Sequence, residues 1–164
     1  VGNARPVDGP DGLRIGAVLT LRDETARIQA EHRLTESEAR FRTVADSAPA
    51  LIWMTDADGA VIFTNRRYKT FFGIRRETEV TAGWSRLVHP DDAQPFLDAI
   101  RGAMARRDRY EGVVRVNHPS LGVRWLRCEC LPRFDAAGAF QGYVGANIDV
   151  TEAKKAEDDL KRIN

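Results

Sequence analysis

One stretch of the chain occurs twice, and this repeat limits what the chain can fold into more than any other feature does. Residues 16–34 and 142–160 align without a gap and agree at glycine, valine, aspartate, threonine, alanine, glutamate and leucine positions. Each copy is predicted to be a strand that ends in Asp-x-Thr and continues into a charged helix. The two Asp-x-Thr sites are Asp23 with Thr25 and Asp149 with Thr151. Because such self-similarity is typical of small modules in tandem, the sequence predicts one complete module preceded by the tail of another.

The repeat predicts four segments along the chain. Residues 1–25 are expected to be the C-terminal tail of a preceding module, 26–40 a linker helix, 41–149 the complete domain and 150–164 the start of a C-terminal helix. A domain of roughly 110 residues has the commonest size and can bury a core without disulfides or metal. The linker helix carries a thin apolar seam at coiled-coil spacing, which predicts a homodimer through the flanking helices.

The composition excludes two classes of partner. A content of 43% hydrophobic and 30% charged residues is typical of a soluble globular protein. The 25 basic and 24 acidic residues give a net charge of +1, so no nucleic-acid partner is expected. No apolar run approaches the roughly 18 residues of a membrane span. We expect no membrane contact by these residues and a cytoplasmic location, although the parent protein could be anchored in a membrane elsewhere.

The cysteines and histidines do not form a pattern typical of a catalytic or metal site. Cys128 and Cys130 are one residue apart in a predicted strand, which places both on one face and too close along the chain for an easy disulfide. His32, His89 and His118 fall in three separate contexts, so no metal site is expected. An enzyme with one of the thiols as nucleophile and His118 as base lacks an orienting third group. No catalytic residue is therefore predicted.

The order of predicted elements indicates an α+β fold. Two strands joined by an Asp-Gly turn at 58–59 are followed by several short helices, three further strands and a final helix. Asn65 is predicted to cap one short helix that Gly73 ends. Asp91 and Asp92 are predicted to supply an N-cap and favourable charge at the start of the longer helix that follows. Since the helices fall between the second and third strands, the simplest layout is one mostly antiparallel sheet with helices on one face.

Several motifs now carry a family resemblance. They are the Asp58-Gly59 turn, the Val-His-Pro-Asp-Asp stretch at 88–92, the Arg124-Trp125 pair in a late strand, and Asp149-Val-Thr151-Glu152 at the exit. In this order of elements they resemble a PAS domain with its C-terminal PAC motif, over about residues 37–160, and residues 12–34 resemble the end of a preceding PAS domain. The resemblance implies the PAS fold, a five-stranded antiparallel sheet with helices on one face, flanked by N- and C-terminal signalling helices.

The resemblance also implies a function. PAS domains of this kind are sensory or relay modules of bacterial multidomain signalling proteins, most often sensor histidine kinases in two-component systems. The expected partners are the adjacent PAS and output domains of the same chain, and a second copy of the chain. The residues themselves are not expected to be an enzyme, because His32 lacks the acidic residue and proline that normally follow a phosphoacceptor histidine. Two alternatives stay open: a dimerisation or spacer module without ligand, and a module of a diguanylate cyclase or phosphodiesterase.

Cofactor binding can be tested against residues that the family uses. Flavin-binding members attach the flavin through a cysteine in a helix, whereas residues 71–75 here read Phe-Phe-Gly-Ile-Arg. Haem-binding members supply a histidine from the long helix, and 92–106 contains none. We therefore predict neither flavin nor haem. His89 is expected in a turn or cap, and His118 exposed in a loop.

A non-covalent small ligand remains an expectation for the space between sheet and helices. The candidate lining residues are apolar and occupy suitable places in the family layout: Ile52, Met54, Ile62, Phe72, Trp84, Leu87, Phe96, Ile100, Val114, Leu126 and Val144. Thr64, Asn65 and Cys128 are the polar candidates for orienting a ligand. The same side chains, fully packed, would be an ordinary core, and a solid core is the favoured interpretation.

The expected mechanism lies at the exit of the domain. If the Asp149 carboxylate accepts N–H bonds from the first turn of the next helix, it couples the last strand to that helix, and Thr151 can add a side-chain bond. Asp23 with Thr25 would pass motion from an upstream module in the same way. We therefore predict Asp149, Thr151, Asp23 and Thr25 as signal-coupling residues.

Overall fold

A β-hairpin and a long helix form the first part of the structure. The computed structural model describes residues 2–75 and 85–163. In it β1 (Gly2–Asp8) pairs antiparallel with β2 (Arg14–Leu21), and the side chains of both strands are exposed. Helix α1 (Thr25–Ser47) follows. Two compact units are present, and the division between them falls within α1, after Thr43.

The second unit is built around a five-stranded antiparallel sheet. Its strands are β3 (Leu51–Thr55), β4 (Val61–Thr64), β5 (Tyr110–His118), β6 (Gly122–Phe134) and β7 (Phe140–Asp149). They lie in the order β4-β3-β7-β6-β5. The helices of this unit are α2 (Arg66–Phe72), α3 (Pro90–Arg106) and α4 (Thr151–Ile163), in addition to the last turn of α1. The α+β class and the five-stranded antiparallel sheet predicted from the sequence are confirmed.

Local sequence sets the ends of the short helix as predicted. The Asn65 side chain accepts the Tyr68 N–H at 3.0 Å at the start of α2, and Gly73 ends the helix at φ +65°, which a residue without Cβ adopts freely. For α3 the expected capping role of His89 is confirmed, and Asp91 and Asp92 place negative charge in the first turn but do not cap the helix. His89 is the cap because Pro90 already occupies the first helical position and the ring Nδ1 accepts the Asp91 N–H at 3.3 Å.

Helices α2 and α3 pack against one face of the sheet. The core cluster combines helix and strand residues: Leu51, Tyr68, Val88, Phe96, Ile100, Val114, Val116, Leu126 and Cys128. Because side chains alternate along a strand, β6 buries Leu126, Cys128 and Cys130, while Arg127 and Glu129 between them are exposed. Of the helices that the structure describes, none combines the length and apolarity needed to cross a bilayer.

The sequence repeat is also a repeat of structure. Residues that pair across β1 and β2 correspond, 126 positions later, to residues that pair across β6 and β7. Gly2–Leu21 corresponds to Cys128–Asn147, Ala4–Leu19 to Cys130–Gly145, and Val7–Gly16 to Arg133–Gly142. Both pairings have an irregularity at the same place, one residue after the last of these pairs. The turns match as well, with Gly12 at φ +77° and Gly138 at φ +81°. The two hairpins therefore share register, bulge and turn.

Candidate functional site

Helix α4 begins directly where β7 ends, and Asp149 joins the two elements. Its Oδ1 accepts hydrogen bonds from the Thr151 backbone N–H at 3.0 Å and from the Thr151 hydroxyl at 2.6 Å. Burial alone would raise the pKa of the Asp149 carboxyl, but the hydrogen bonds from Thr151 and Arg124 outweigh it and the pKa is lowered. The carboxylate is therefore ionised at neutral pH and holds the first turn of α4.

Arg124 of β6 connects the same carboxylate to the helix. Its Nε donates to the second oxygen of Asp149 at 2.8 Å, and its Nη1 donates to Glu152 Oε1 at 3.4 Å. The Arg124 side chain is only 19% exposed and that of Asp149 26%. Both side chains are thus partly covered, and the Asp149 carboxylate is held by Thr151 on one oxygen and by Arg124 on the other.

Thr151 and the β6 backbone complete the junction. Thr151 is 2% exposed, and its Oγ1 accepts the Trp125 backbone N–H at 2.8 Å. The Val150 N–H in turn donates to the Trp125 carbonyl at 2.8 Å. We call this arrangement the exit junction and define it as Arg124, Trp125, Asp149, Thr151 and Glu152. Two adjacent strands thus hold the start of α4, whereas sequence reasoning had assigned this role to β7 alone.

The first copy of Asp-x-Thr repeats the local bond. Asp23 Oδ1 accepts the Thr25 N–H at 2.9 Å at the start of α1, and hydrogen bonds from Thr25 lower the pKa of the Asp23 carboxyl. Both residues are exposed. The predicted geometry of the pair is therefore present at both ends, in one case on the surface and in the other within a network.

Asn65 ties the end of α1 to the core. Its Nδ2 donates to the carbonyls of Ala45 in α1 and Ala50 before β3, at 2.8 and 2.9 Å. Its Oδ1 accepts the N–H groups of Ile52 and Tyr68, each at 3.0 Å. Asn65 is only 1% exposed, and both hydrogens and both lone pairs of its side-chain amide are used in these four bonds. The sequence predicted the cap but not the three further bonds, since their partners lie in other elements.

A cavity of about 290 Å³ lies between the sheet and helices α2 and α3. Five predicted residues line it, namely Phe72, Phe96, Ile100, Val114 and Leu126. The side chains therefore do not fill this space completely. Sequence reasoning missed other lining residues, among them Trp53, Thr55, Val61, Tyr68, Met104, Tyr110, Cys130 and Asn147.

In β3, β4 and β7 the predicted cavity residues lie on the wrong face of the sheet, whereas those in β5 and β6 were predicted correctly. In β3 it is Trp53 and Thr55 that line the cavity, so Ile52 and Met54, which alternate with them, point to the opposite face. The same one-residue slip applies to β4 and β7: Ile62 is 57% exposed beside the lining residue Val61, and Val144 alternates with Tyr143 and Gly145, which are buried. Leu87 packs against the core cluster instead. Trp84 lies outside the described residues.

The polar groups in the cavity are mostly neutral. Burial raises the pKa of the Cys128 thiol to about 12, and burial raises the pKa of the Tyr68 phenol still further from the physiological range. Of the polar candidates from the sequence, Cys128 faces the cavity, while Asn65 spends all its hydrogen bonds on the backbone and Thr64 is buried elsewhere. The wall is therefore largely apolar, with uncharged hydroxyl and thiol groups, and the charged lining residues Arg101 and Glu129 are both exposed.

His118 is not the exposed loop residue that was predicted. It ends β5, is partly buried, and its Nε2 lies 2.7 Å from the Phe71 carbonyl at the end of α2. Its Nδ1 accepts the N–H groups of Ser120 and Leu121, each at 3.1 Å. Since Nδ1 accepts these two bonds, Nε2 is the nitrogen that donates to the Phe71 carbonyl. Both nitrogens serve the backbone, which argues against His118 as the base of a thiol nucleophile.

Comparison with known proteins adds the family. The family model for the PAS fold matches residues 45–155, which covers most of the second unit. The chain belongs to the PAS-fold family. An uncharacterized protein of Sinorhizobium fredii, y4lL, is 34% identical over 140 residues, which cover 85% of this chain and 17% of the relative. The two-component sensor PprA of Pseudomonas aeruginosa is 27% identical over 149 residues, covering 91% of this chain and 16% of the relative.

A solved structure gives the same result. The sensory box histidine kinase/response regulator from Burkholderia thailandensis has a TM-score of 0.55 and 27% sequence identity, and the match covers 74% of this chain and 92% of that one. The chain thus spans less than a fifth of the length of the two curated relatives described above. This PAS module is similar to the sensory domains of histidine kinases.

Proposed function

We propose that residues 44–163 are a sensory and relay PAS module that passes a conformational change through α4 to a downstream output domain. The exit junction is the observation that carries this proposal. Because β6 and β7 both bond the first turn of α4, a displacement of either strand shifts the preferred tilt or rotation of the helix. The signal is then a change in the populations of two helix arrangements.

The output we propose is that of a cytoplasmic two-component histidine kinase. The names of relatives support this: the two-component sensor PprA, and the peroxide stress-activated histidine kinase mak1 of Schizosaccharomyces pombe, which is 24% identical over 123 residues. The transfer of phosphate from ATP to histidine would take place outside the 164 residues of this chain. A diguanylate cyclase or phosphodiesterase parent stays the alternative, and the relay through α4 would be the same.

The input we propose is twofold. A small, largely apolar ligand in the cavity is one source, since most of the wall is apolar, Tyr68 and Cys128 are neutral, and the charged lining residues Arg101 and Glu129 are exposed. An upstream PAS module is the other. The identical register of β1–β2 and β6–β7 supports the assignment of residues 1–25 to the tail of such a module. Motion arriving through α1 would reach the core at Asn65, which holds the Ala45 carbonyl.

A second copy of the chain is the remaining proposed partner. Apolar side chains of α1 are exposed, with Leu34 at 62% and Phe41 at 46%, and they fall at coiled-coil spacing. Native mass spectrometry of the 164-residue chain tests both oligomeric state and retained small molecules. A dimer with a retained ligand supports a sensor, and a dimer that never carries or responds to one supports the spacer alternative.

The relay is tested in the full-length parent with Asp149→Ala. We expect the output to lose its response to the input, while the module loses only about 0.5–2 kcal/mol of stability. Asp135→Ala is the matched control, because Asp135 makes the same kind of bond in the turn at the other end of the hairpin, accepting the Ala137 and Ala139 N–H groups at 2.9 Å. An unchanged response in Asp149→Ala, or an equal loss in Asp135→Ala, contradicts the proposal.

A further inference from the structure

Helix α3 forms part of the cavity wall, and its first turn is bonded to the edge strand β5. Phe96 and Ile100 of α3 line the cavity. One turn earlier, Asp92 Oδ2 accepts the Arg115 backbone N–H at 2.9 Å and the Arg115 Nε at 3.0 Å, and its Oδ1 meets Nη2. This two-pronged pairing fixes the orientation of the guanidinium plane. The hydrogen bond from the Arg115 side chain lowers the pKa of Asp92 to about 2.

The backbone reinforces the same contact. The His89 N–H donates to the Arg115 carbonyl at 2.8 Å, and Val88 forms a bridge with Val116. The start of α3 is therefore held to β5 by main-chain and side-chain bonds together. A shift of α3, such as a change in cavity occupancy would cause, has to move Arg115 or break these bonds.

Arg115 leads from α3 to the exit junction. It lies directly opposite Trp125 in the pairing of β5 with β6, and its guanidinium carbon is 5.5 Å from the centre of the Trp125 ring. Lys154 of α4 places its Nζ 5.4 Å from the same ring centre. Both are within the range of cation–π attraction. Trp125 thus meets a cation held by α3 and a cation carried by α4, and its backbone bonds Val150 and Thr151.

We infer that Asp92, Arg115, Trp125 and Lys154 form a second coupling path, which connects the cavity wall to α4 without passing through β7. Trp125 is the positioning residue of this path. The inference rests on the proposed relay function. It adds that α4 responds to the position of the start of α3 as well as to that of β7. None of the four residues is needed to contact a ligand.

Amide hydrogen exchange in the 164-residue chain tests this path. Asp92→Asn weakens the pairing with Arg115, and we expect the amides of Val150, just before α4, and of Thr151 and Lys154 within it to exchange about threefold faster or more, relative to the amides of β3. Asp98→Asn is the control, since Asp98 lies on the same helix, is exposed and bonds Gln94 within it. It should leave the α4 amides unchanged.

A second background separates this path from general loosening. In Trp125→Leu, the further change Asp92→Asn should no longer alter exchange in α4. Arg115→Lys keeps the positive charge but loses the bidentate bond of the guanidinium to Asp92, so it should have the same effect as Asp92→Asn. It replaces that variant if the asparagine variant folds poorly. The inference is overturned if α4 exchange ignores Asp92→Asn, if Asp98→Asn has the same effect, or if the effect persists in Trp125→Leu. Since amide exchange is followed within the 164 residues themselves, these results are independent of the Asp149→Ala test, which follows the output of the parent.

Discussion

Hairpin β1–β2 and the hairpin of β6 and β7 have the same register, the same turn and the same Asp-x-Thr bond at their exits, but their surroundings differ. On the face that corresponds to the core, the first hairpin carries Leu19 and Leu21, which are 62% and 74% exposed. The matching positions in β7 are Gly145, which is buried, and Asn147, which lines the cavity. Hairpin geometry is thus encoded locally, whereas the cavity depends on residues that come from elsewhere in the chain.

The two exits show the same contrast. Asp23 and Thr25 make their bond on the surface. Asp149 and Thr151 make it beside Arg124, with Thr151 buried against the Trp125 backbone. The Asp-x-Thr motif bonds a helix to the adjacent sheet only where a neighbouring strand, here β6, also contacts it. Matched substitutions in the two copies can therefore separate local from tertiary contributions.

The largest difference is expected at Gly145. A Cβ there would lie 2.2 Å from the Trp53 ring, so Gly145→Leu, which copies Leu19 of the other hairpin, overpacks the core. We expect a loss of about 1–3 kcal/mol or more. The reverse change Leu19→Gly should leave the second unit unaffected. Urea unfolding followed by tryptophan fluorescence measures this, because every tryptophan lies after residue 43. Equal midpoints for the two variants would show that the surroundings of Gly145 are misjudged.

A smaller difference is expected between the threonines. Thr151→Val leaves the Trp125 N–H without its acceptor in a buried place and should cost about 1–3 kcal/mol. Thr25→Val changes an exposed residue and should stay within about 0.5 kcal/mol. Thermal or urea unfolding of the two variants gives the comparison. If Thr151→Val were as mild as Thr25→Val, the bond between α4 and β6 would carry little energy.

The smallest difference is expected in how the two aspartates, Asp149 and Asp23, affect the pH dependence of stability. The pKa of Asp149 is lowered in the folded state, so its contribution to stability is present above the unfolded value of about 3.9 and disappears as the pH falls below it. In Asp149→Asn the free energy of unfolding should therefore decrease less between about pH 5 and 3. Part of the decrease remains, because Asp92, with a pKa of about 2, also loses its stabilising charge as the pH falls. Asp23→Asn should leave the pH dependence of the tryptophan-detected transition unchanged. Urea midpoints across this pH range distinguish the two cases.

Much of the fold follows from local sequence. The Asp-Gly turn, the Asn65 cap and the Gly73 end of α2 could be predicted because each depends on neighbours in the chain. Strand β1 was not predicted, since Arg5 and Pro6 interrupt its apolar pattern. Its alignment with β6 at the repeat spacing is the signal that would have found it.

The site was less predictable for two physical reasons. Strand β3 is apolar at nearly every position, so alternation does not reveal which face is inside, and the cavity residues were displaced by one. The exit junction and the second coupling path join residues far apart in sequence, such as Arg124 with Asp149 and Asp92 with Arg115. Local patterns show that such residues are present and do not show which of them meet.

The most direct test of the central claim is the distance between the sheet and α4. Nitroxide labels at Ala136→Cys, in the turn after β6, and Asp159→Cys, on α4, occupy exposed positions, and the native thiols are buried. Double electron–electron resonance on the 164-residue chain should give one narrow distance distribution, which broadens in Asp149→Ala and stays narrow in Asp23→Ala. A distribution that is equally narrow in both variants would contradict the claim that the exit junction holds α4 to the sheet.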